Sequence, residues 1–515
     1  MSMSPFRLLA TISACTAIAL LSFSLLAIPP SYQEVVMILH LAGHGAPAWP
    51  EAATDAGAIR AIGAERGALS TATETLMQSQ LMPPLWIWAA WLVEALPGGV
   101  LLVRVLSIIA IGLSALALWP LFRRVTPHER DHLYLLALFL LIPSTHMAAT
   151  SVGPDAFAIL GLAMALSGAS ASWRTKRLGL GRAALLGGGA GLASASALIA
   201  LPAALVILIA GLLALRGAGR WIAIGISLAT SLPLMALGLG AVMAYAPEIA
   251  AERGIIAPVA GATDASKISI GEALIATHPG RLQPPGLLII LLVGLGSGAV
   301  LAGLVGLFRG KKRPEFTTAL LAFVASVGIA IALPELFEGG AALIPLAPLV
   351  AVFLGTGVLS LETKILAVPL IVLYGFAGGA LALTDRGEAH WQLAGEISKK
   401  RDILDAVVID EPSTLRATAL PYLMALRLRP DKRVVIGDAS EILSDGGPRL
   451  ERADIAHVVH PPGKQGAERL EAFRTQFPNE RQRLLDIAAF YTLLQLGLDH
   501  NRDLPDGSAP EQGSD

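Results

Sequence analysis

The polar stretch that follows the first long apolar run carries two carboxylates that could take a proton from a substrate. Glu51 and Asp55 lie in the segment Trp49-Pro-Glu-Ala-Ala-Thr-Asp55. A carboxylate just outside a membrane helix can act as a general base toward a substrate anchored in lipid. Two other readings stay open, since Glu51 can be a solvated loop residue and Asp55 a loop residue or helix N-cap.

Charged residues at the ends of other apolar runs could bind an anion or serve a membrane site. The guanidiniums of Arg60, Arg104 and Arg281 could hold a phosphate, or could reach toward the membrane interface without any ligand. Asp155 begins an apolar run directly after Gly153-Pro154. An acid within a membrane segment is a functional candidate, although at this position it could also favour a helix N-terminus.

Composition places the chain among membrane proteins. The 515 residues are 54% hydrophobic and 15% charged, with a mean hydropathy of +0.65, whereas soluble domains average roughly 25% charged residues. The net charge of −1 argues against nucleic-acid binding. The single cysteine, Cys15, excludes an intrachain disulfide. No specific cofactor follows from the sequence; a divalent metal is possible among the scattered histidines His40, His44, His146 and His278.

Long apolar runs predict a helical, multi-pass protein. A membrane-spanning helix needs about 20 mostly apolar residues. Eleven candidates lie near residues 8–28, 99–121, 131–149, 154–172, 181–199, 200–215, 221–245, 286–308, 317–334, 341–360 and 365–384. Residues 83–96 are apolar and rich in Trp but too short to span, so we expect them at the outer interface.

Short basic clusters predict the orientation of these helices. They follow apolar runs at Arg123-Arg124, Arg174 to Arg177, Arg216 with Arg220, Arg309 to Arg313, and Lys364. Lys and Arg beside membrane helices tend to stay in the cytoplasm. The long loops 29–82 and 246–284 and the tail after Asp385 then lie outside, in a multi-pass protein of the bacterial inner (plasma) membrane.

The chain changes character after Asp385. Residues 1–384, with the outer loops 29–82 and 246–284, form the predicted transmembrane domain. Residues 385–500 form a predicted small soluble α/β domain, extracytoplasmic and followed by a disordered tail at 501–515. Its predicted strands are 405–410, 433–437 and 456–460, and its predicted helices are 412–427, 465–476 and 480–498.

Five short motifs share their order with a known group of enzymes. They are Asp55, the segment Met82-Pro-Pro-Leu-Trp86, Arg104 with Ser107, the stretch Pro143 to Asp155, and Ala342 to Val350. This order resembles the family 39 glycosyltransferases of the GT-C superfamily, such as protein O-mannosyltransferases and the lipid A aminoarabinose transferase. The resemblance implies a GT-C-like helical membrane fold with about eleven spans and a C-terminal extracytoplasmic domain.

The resemblance also implies an activity and roles for residues. The enzyme would move a hexosyl or pentosyl group from a polyprenyl-phosphate carrier to a lipid, glycan or protein acceptor on the outer face of the membrane. Asp55 would be the catalytic base, with Glu51 as second candidate. The implied substrate-binding residues are Arg60, Arg104, Asp155, Arg281, Pro83 and Pro84.

Departures from the family pattern keep a second function open. Ala56 stands where the family has Glu, and Met82 replaces a basic residue. Gly339-Gly-Ala341 stands where Arg-Tyr is common. The alternative is a non-catalytic GT-C-like protein that binds lipid-linked glycan or assists envelope assembly. A transporter is disfavoured because the sequence shows no inverted repeat and few charges within its apolar runs.

Overall fold

The computed structural model describes two compact units, which are treated separately. One unit comprises Met1–Ile28 and Leu69–Thr384, and the other comprises Pro29–Ala68 and Asp385–Asp515. The described residues are 5–27, 29–30, 32–44, 49, 54–80, 84–94, 100–125, 129–256, 298, 300–305, 313–332, 339–359, 367–383, 389–399, 405–410, 420–437, 455–459, 471, 475, 482–488 and 491–497.

The first unit is a helical bundle. Its helices are α1 (Pro5–Ala27), α4 (Leu69–Gln80), α5 (Pro84–Glu94), α6 (Val100–Val125), α7 (Glu129–Leu141), α8 (Pro143–Thr150), α9 (Asp155–Thr175), α10 (Leu180–Ser194), α11 (Ala200–Leu213), α12 (Arg220–Ile256), α13 (Pro314–Ala332), α14 (Ala347–Val358) and α15 (Ala367–Leu383), with a 3-10 helix at Gly339–Leu346. A large apolar core with Leu138, Ile159, Phe323 and Phe353 holds them together.

Several of these helices suit a membrane. Leu101–Val125, Asp155–Thr175, Arg220–Gly240 and Pro314–Ala332 are four helices of the described chain that are long and apolar enough to cross one. The bent pair α7 and α8 would make a fifth if it forms one span. The sequence-based number of eleven spans stays a prediction, and much of the candidate 286–308 lies outside the described residues.

Glycines let α9 and α10 pack closely. A Cβ atom built on Gly189 would lie 2.5 Å from the backbone nitrogen of Ala165, and one on Gly168 would lie 2.7 Å from that of Leu186. Neither position can therefore hold a side chain without moving a helix. The glycines on the facing sides of these two helices therefore serve close helix packing.

Several basic residues of the described bundle, with Arg124 and Arg174 among them, lie together at one end of it, whereas Arg104 lies at the other. Ser107 near the start of α6 donates a hydrogen bond to the Ser151 carbonyl just before α9 (3.1 Å), so these two helix starts lie together. Arg124 at the end of α6 donates to Ser170 Oγ near the end of α9 (2.7 Å). The helices α6 and α9 therefore run parallel, with polar starts at one end and basic ends at the other.

The second unit contains a six-stranded mixed sheet. Its strands are β1 (Thr54–Asp55), β2 (Asp405–Asp410), β3 (Arg433–Gly437), β4 (Ile455–Val459), β5 (Gln482–Ala488) and β6 (Tyr491–Gly497), in the order β1-β3-β2-β4-β6-β5. The strands β3, β2 and β4 pair in parallel, and the other pairings are antiparallel. The strands predicted at 405–410, 433–437 and 456–460 are thus confirmed. The third of them begins and ends one residue earlier than predicted, at 455–459.

Helices cover this sheet. They are α2 (Tyr32–Leu41), α3 (Ala56–Ala64), α16 (Ala389–Lys399) and α17 (Leu420–Arg427). Their shared core includes Leu39, Ile59, Ile397, Val407 and Leu423. Residues 29–68 therefore pack with C-terminal residues, a grouping that the sequence did not predict. The domain boundaries drawn from the sequence stay a prediction, and the tail 501–515 lies outside the described residues.

One predicted segment is wrong in detail. The helix expected at 480–498 is instead the hairpin of β5 and β6. A short apolar run suits either structure, and pairing of β6 with β4 satisfies backbone groups that a helix would leave open on β4. The outer loop at 246–284 stays a prediction; α12 continues to Ile256, and residues 257–284 lie outside the described residues.

Candidate functional site

A buried cation lies near the start of α6. Arg104 is 3% exposed, and Ser107, one turn later on the same helix, is fully buried. The Ser107 hydroxyl donates to the carbonyls of Ser151 (3.1 Å) and, more weakly, of Val103 (3.4 Å). A guanidinium and a hydroxyl on one face of an apolar helix form the polar surface that an anionic group requires.

The chain breaks its helix beside this cation. The axes of Asp131–Leu141 and Pro143–Thr150 meet at 59°, with Ile142 between them. Pro143 takes the first helical position of α8, where its missing amide hydrogen costs nothing. All eight residues of α8 are buried, and α8 packs against α6 and the 3-10 helix. Broken helices at membrane depth are tolerated where they are buried in protein or line a water-filled cavity.

The broken segment is polar. Ser144, Thr145, His146 and Thr150 are buried in an otherwise apolar core. The Thr150 hydroxyl donates to the His146 carbonyl at 2.7 Å. The sequence motifs include this stretch, but of these four residues only His146 was considered for a role, as a possible metal ligand. The available signal was a run of hydroxyl and imidazole side chains directly after a proline in an apolar segment.

Asp155 lies at the same end of the bundle as Arg104. It is the first residue of α9 and is partly buried, after the 151–154 segment that bonds Ser107. The positive end of the helix dipole favours a carboxylate there. The structure thus brings two predicted site residues, Arg104 and Asp155, to one polar end of the helical unit.

Asp55 lies in the other unit, at the junction of β1 and α3. It pairs across the antiparallel β1–β3 ladder with Arg433. Asp55 is the N-cap of α3, yet its side chain makes no capping hydrogen bond, and it is exposed. The carboxylate is therefore not occupied in holding the helix start.

The residues that flank Asp55 are fixed by backbone bonds. The Ala56 amide donates to the Lys432 carbonyl (2.8 Å), and the Gly57 amide donates to the Pro430 carbonyl (3.0 Å). Ala56 is fully buried. A larger acidic side chain at position 56 would have to displace this packing.

Arg60 has a structural partner in the second unit. Its guanidinium donates long hydrogen bonds to the carbonyls of Ala56 and Leu428, both at 3.4 Å. These bonds join α3 to the end of α17. Pro84 is the buried first residue of α5, a position that suits proline in any helix. The predicted site residues Glu51, Pro83 and Arg281 lie outside the described residues.

Within the described ranges, no group of three or more His, Cys, Asp or Glu side chains could hold a metal ion. His44, one of the histidines considered, contacts the Glu65 carbonyl through Nε2 at 2.7 Å. A divalent metal stays a prediction.

Comparison with known proteins finds likeness in solved structures alone. No protein-family model matches the chain, and no curated protein matches it. ArnT from Cupriavidus metallidurans bound to undecaprenyl phosphate is 13% identical, with a TM-score of 0.49 over 94% of this chain and 97% of that one. The apo state of the same enzyme gives a TM-score of 0.47 at 13% identity over the same shares of the two chains.

A second neighbour comes from an archaeon. The oligosaccharyltransferase AglB from Archaeoglobus fulgidus, in complex with an inhibitory peptide and a dolichol-phosphate, is 11% identical, with a TM-score of 0.42 over 88% of this chain and 69% of that one. ArnT (family 83) and AglB are GT-C membrane glycosyltransferases, the superfamily that the sequence motifs resemble. With TM-scores below 0.5, these likenesses assign no residue role and no substrate.

Proposed function

We propose that this chain is a membrane glycosyltransferase that moves a sugar from a polyprenyl-phosphate carrier to a lipid, glycan or protein acceptor. The observation that carries the proposal is the polar end of the helical unit, where buried Arg104, the broken segment at Pro143 and Asp155 interrupt an apolar bundle. Buried ionisable groups at membrane depth are costly and usually functional.

The proposed chemistry uses one base and one cationic subsite. The acceptor oxygen attacks the anomeric carbon, the bond from that carbon to the phosphate oxygen breaks, and polyprenyl phosphate leaves. The acceptor proton passes to the Asp55 carboxylate, with Glu51 as second candidate. Arg104 stabilises the negative charge that grows on the departing phosphate.

The other predicted residues have supporting roles in the proposal. Arg281 binds phosphate, Arg60 supports the substrate site from α3, and Asp155 and the Pro83-Pro84 segment shape that site. Arg60 first holds α3 to the carbonyl of Leu428, so its contribution to binding would be indirect. A metal ion would assist the proposed base and cations rather than replace them. The described residues contain no cluster of side chains that could hold it.

The carrier and the orientation belong to the same proposal. One structural neighbour is a complex with undecaprenyl phosphate and another with a dolichol-phosphate, and we propose a carrier of that chemical kind here. The basic end of the bundle faces the cytoplasm of a bacterial inner membrane. In this orientation the Arg104 and Asp155 end of the bundle faces outward, where lipid-linked sugar meets its acceptor, and Asp55 belongs to the predicted outer loop 29–82.

Ala56 favours a second candidate function. It occupies the position of the family's glutamate, is fully buried, and donates its amide to Lys432. A protein without this second carboxylate could bind lipid-linked glycan, or assist its assembly, without transferring it.

Binding of undecaprenyl phosphate to the full-length chain in detergent tests the cationic subsite. Replacing Arg104 with Gln removes a charge-assisted contact worth about 1.5–3 kcal/mol, so affinity should fall roughly tenfold to a hundredfold. Arg123→Gln removes the same charge at the other end and should bind normally. Arg104→Lys keeps the charge and should retain part of the affinity.

Undecaprenol, which lacks the phosphate, separates headgroup recognition from lipid partitioning. Wild-type protein should bind it as weakly as Arg104→Gln binds the phosphate. Equal affinity of wild type for both lipids, with no effect of Arg104→Gln, would remove Arg104 as the phosphate ligand.

A further inference from the structure

Three guanidiniums, those of Arg124, Arg174 and Arg313, interact with one buried carboxylate at the basic end of the helical unit, and Arg182 interacts with Arg124. Glu315, in the first turn of α13, is 3% exposed. Arg174 at the end of α9 approaches it at 3.5 Å through Nε. Arg313 interacts electrostatically with both Glu315 and Arg174. Arg124 interacts with Arg182, Arg174 and Glu315.

Two of these cations are held in place by protein groups. Arg124 Nη1 donates to Ser170 Oγ (2.7 Å) and to the Ser167 carbonyl (3.3 Å). Arg313 Nη1 donates to the Thr356 carbonyl at 3.0 Å. The guanidiniums of Arg124 and Arg313 are therefore each held in place before any ligand arrives, which lowers the entropy cost of binding.

The charges of this cluster do not balance. Among the described residues that act on Arg124 and Arg313, Glu315 is the carboxylate and the others are guanidiniums. Burial lowers the pKa of the Arg313 guanidinium from its ordinary value, Glu315 raises it and Arg174 lowers it again. Arginine remains protonated in such surroundings. Four positive charges against one negative charge leave a surplus that attracts an anion.

The cluster sits where apolar helix surface begins. Leu321 and Val324 on α13 are 56% and 57% exposed, and lie about two turns beyond Glu315. Leu113 and Leu116 on α6 are 47% and 69% exposed, and lie about two to three turns before Arg124. In a membrane these side chains face lipid tails. A ligand with an anionic head and apolar chains matches both the arginine cluster and the apolar helix surface beside it.

We propose that Arg124, Arg174, Arg182 and Arg313 form a binding site for the phosphate of an anionic phospholipid. The lipid phosphate accepts hydrogen bonds from the exposed guanidiniums of Arg174 and Arg182, and its acyl chains lie along the apolar helix surface. Basic pockets between membrane helices commonly bind such headgroups. This site is separate from the Arg104 end and does not depend on glycosyl transfer.

Lipid binding to the full-length protein in detergent tests the proposal, read out by native mass spectrometry with phosphatidylglycerol and phosphatidylcholine as probes. Wild type should prefer phosphatidylglycerol. Arg182→Gln and Arg174→Gln should each weaken phosphatidylglycerol binding about tenfold, which corresponds to about 1.4 kcal/mol. Arg182 is exposed, so its variant should fold even if loss of Arg174 disturbs Glu315.

Arg123→Gln provides the matched control, because exposed Arg123 lies at the same end and loses the same charge. It should bind phosphatidylglycerol like wild type. An equal loss of phosphatidylglycerol affinity in Arg123→Gln would show that overall charge determines binding, and this would overturn the proposed site. No preference for phosphatidylglycerol would also overturn it, as would displacement of the lipid by millimolar inorganic phosphate, which would indicate a site for a free anion.

Discussion

The exposed carboxylate of Asp55 stands at the start of α3 without capping that helix. Its neighbours, by contrast, are fixed by backbone bonds from Ala56 and Gly57 to the chain before β3. A rigid backbone under an exposed acidic side chain that does not cap its helix suits a general base. The sequence could identify this carboxylate but not its support, because the support comes from residues far along the chain.

Asp55→Asn should therefore leave the protein as stable as wild type. The side chain makes no capping bond to lose, and Asn is an equally good N-cap residue, so the free energy of unfolding should change by less than about 0.5 kcal/mol. Thermal unfolding in detergent measures this. Glu65→Gln, at the exposed other end of α3, is the control. A large loss of stability in Asp55→Asn alone would mean that Asp55 is structural.

Arg60 shows the limit of reading single residues. Its position after Asp55 suggested a phosphate ligand, but its guanidinium donates to two backbone carbonyls. Local spacing could not distinguish these roles, since the Leu428 carbonyl belongs to a distant helix end.

At the scale of elements, the strands and helix breaks that could be predicted are those determined by neighbouring residues in the sequence. Val407 to Ile409 and Val434 to Ile436 are short β-branched runs between polar residues, and both form strands. The break at Ile142 and Pro143 was likewise visible as a proline in an apolar run. Residues 482–497 were misassigned because their apolar spacing fits a helix, and pairing with β4 decided the outcome.

Close packing of α9 on α10 makes a prediction for two adjacent glycines. Gly189→Leu would place side-chain atoms against the backbone of Ala165, which is 2.5 Å from the Cβ position. Overpacking of this kind costs about 1–3 kcal/mol or more. The midpoint of thermal unfolding in detergent should fall clearly.

Gly188 supplies the control for this substitution. A Cβ atom at Gly188 meets no atom within 4 Å, so Gly188→Leu should unfold near the wild-type temperature. If both variants were equally stable, the helices would not approach as closely as described.

At the scale of the molecule, Arg124 and Arg174 lie together at one end of the described helices, as the predicted orientation requires. The number of spans and the orientation stay predictions. The grouping of residues 29–68 with the C-terminal sheet was also invisible to sequence analysis. It depends on the packing of α2 and α3 against α17 and on the short pairing of β1 with β3, which are contacts between residues far apart in the sequence.

Reporter fusions test the orientation. Alkaline phosphatase folds only outside the cytoplasm, so a fusion after Asp385 should be active and one after Lys312 inactive. Activity at Lys312 alone would reverse the topology and place the Arg104 end on the wrong side for an outward-facing transferase.

Sugar transfer itself tests the central claim most directly. Full-length protein in proteoliposomes would receive a panel of undecaprenyl-phosphate sugars together with an envelope lipid extract as acceptor, and mass spectrometry would follow released undecaprenyl phosphate and glycosylated acceptor. We expect both products from wild type and Glu65→Gln, and at least a hundredfold slower formation with Asp55→Asn, in line with the contribution of about 10²–10⁴ from a general base. Release by Asp55→Asn at the wild-type rate, or undecaprenyl-phosphate sugar that binds wild type but is never consumed, would contradict the account.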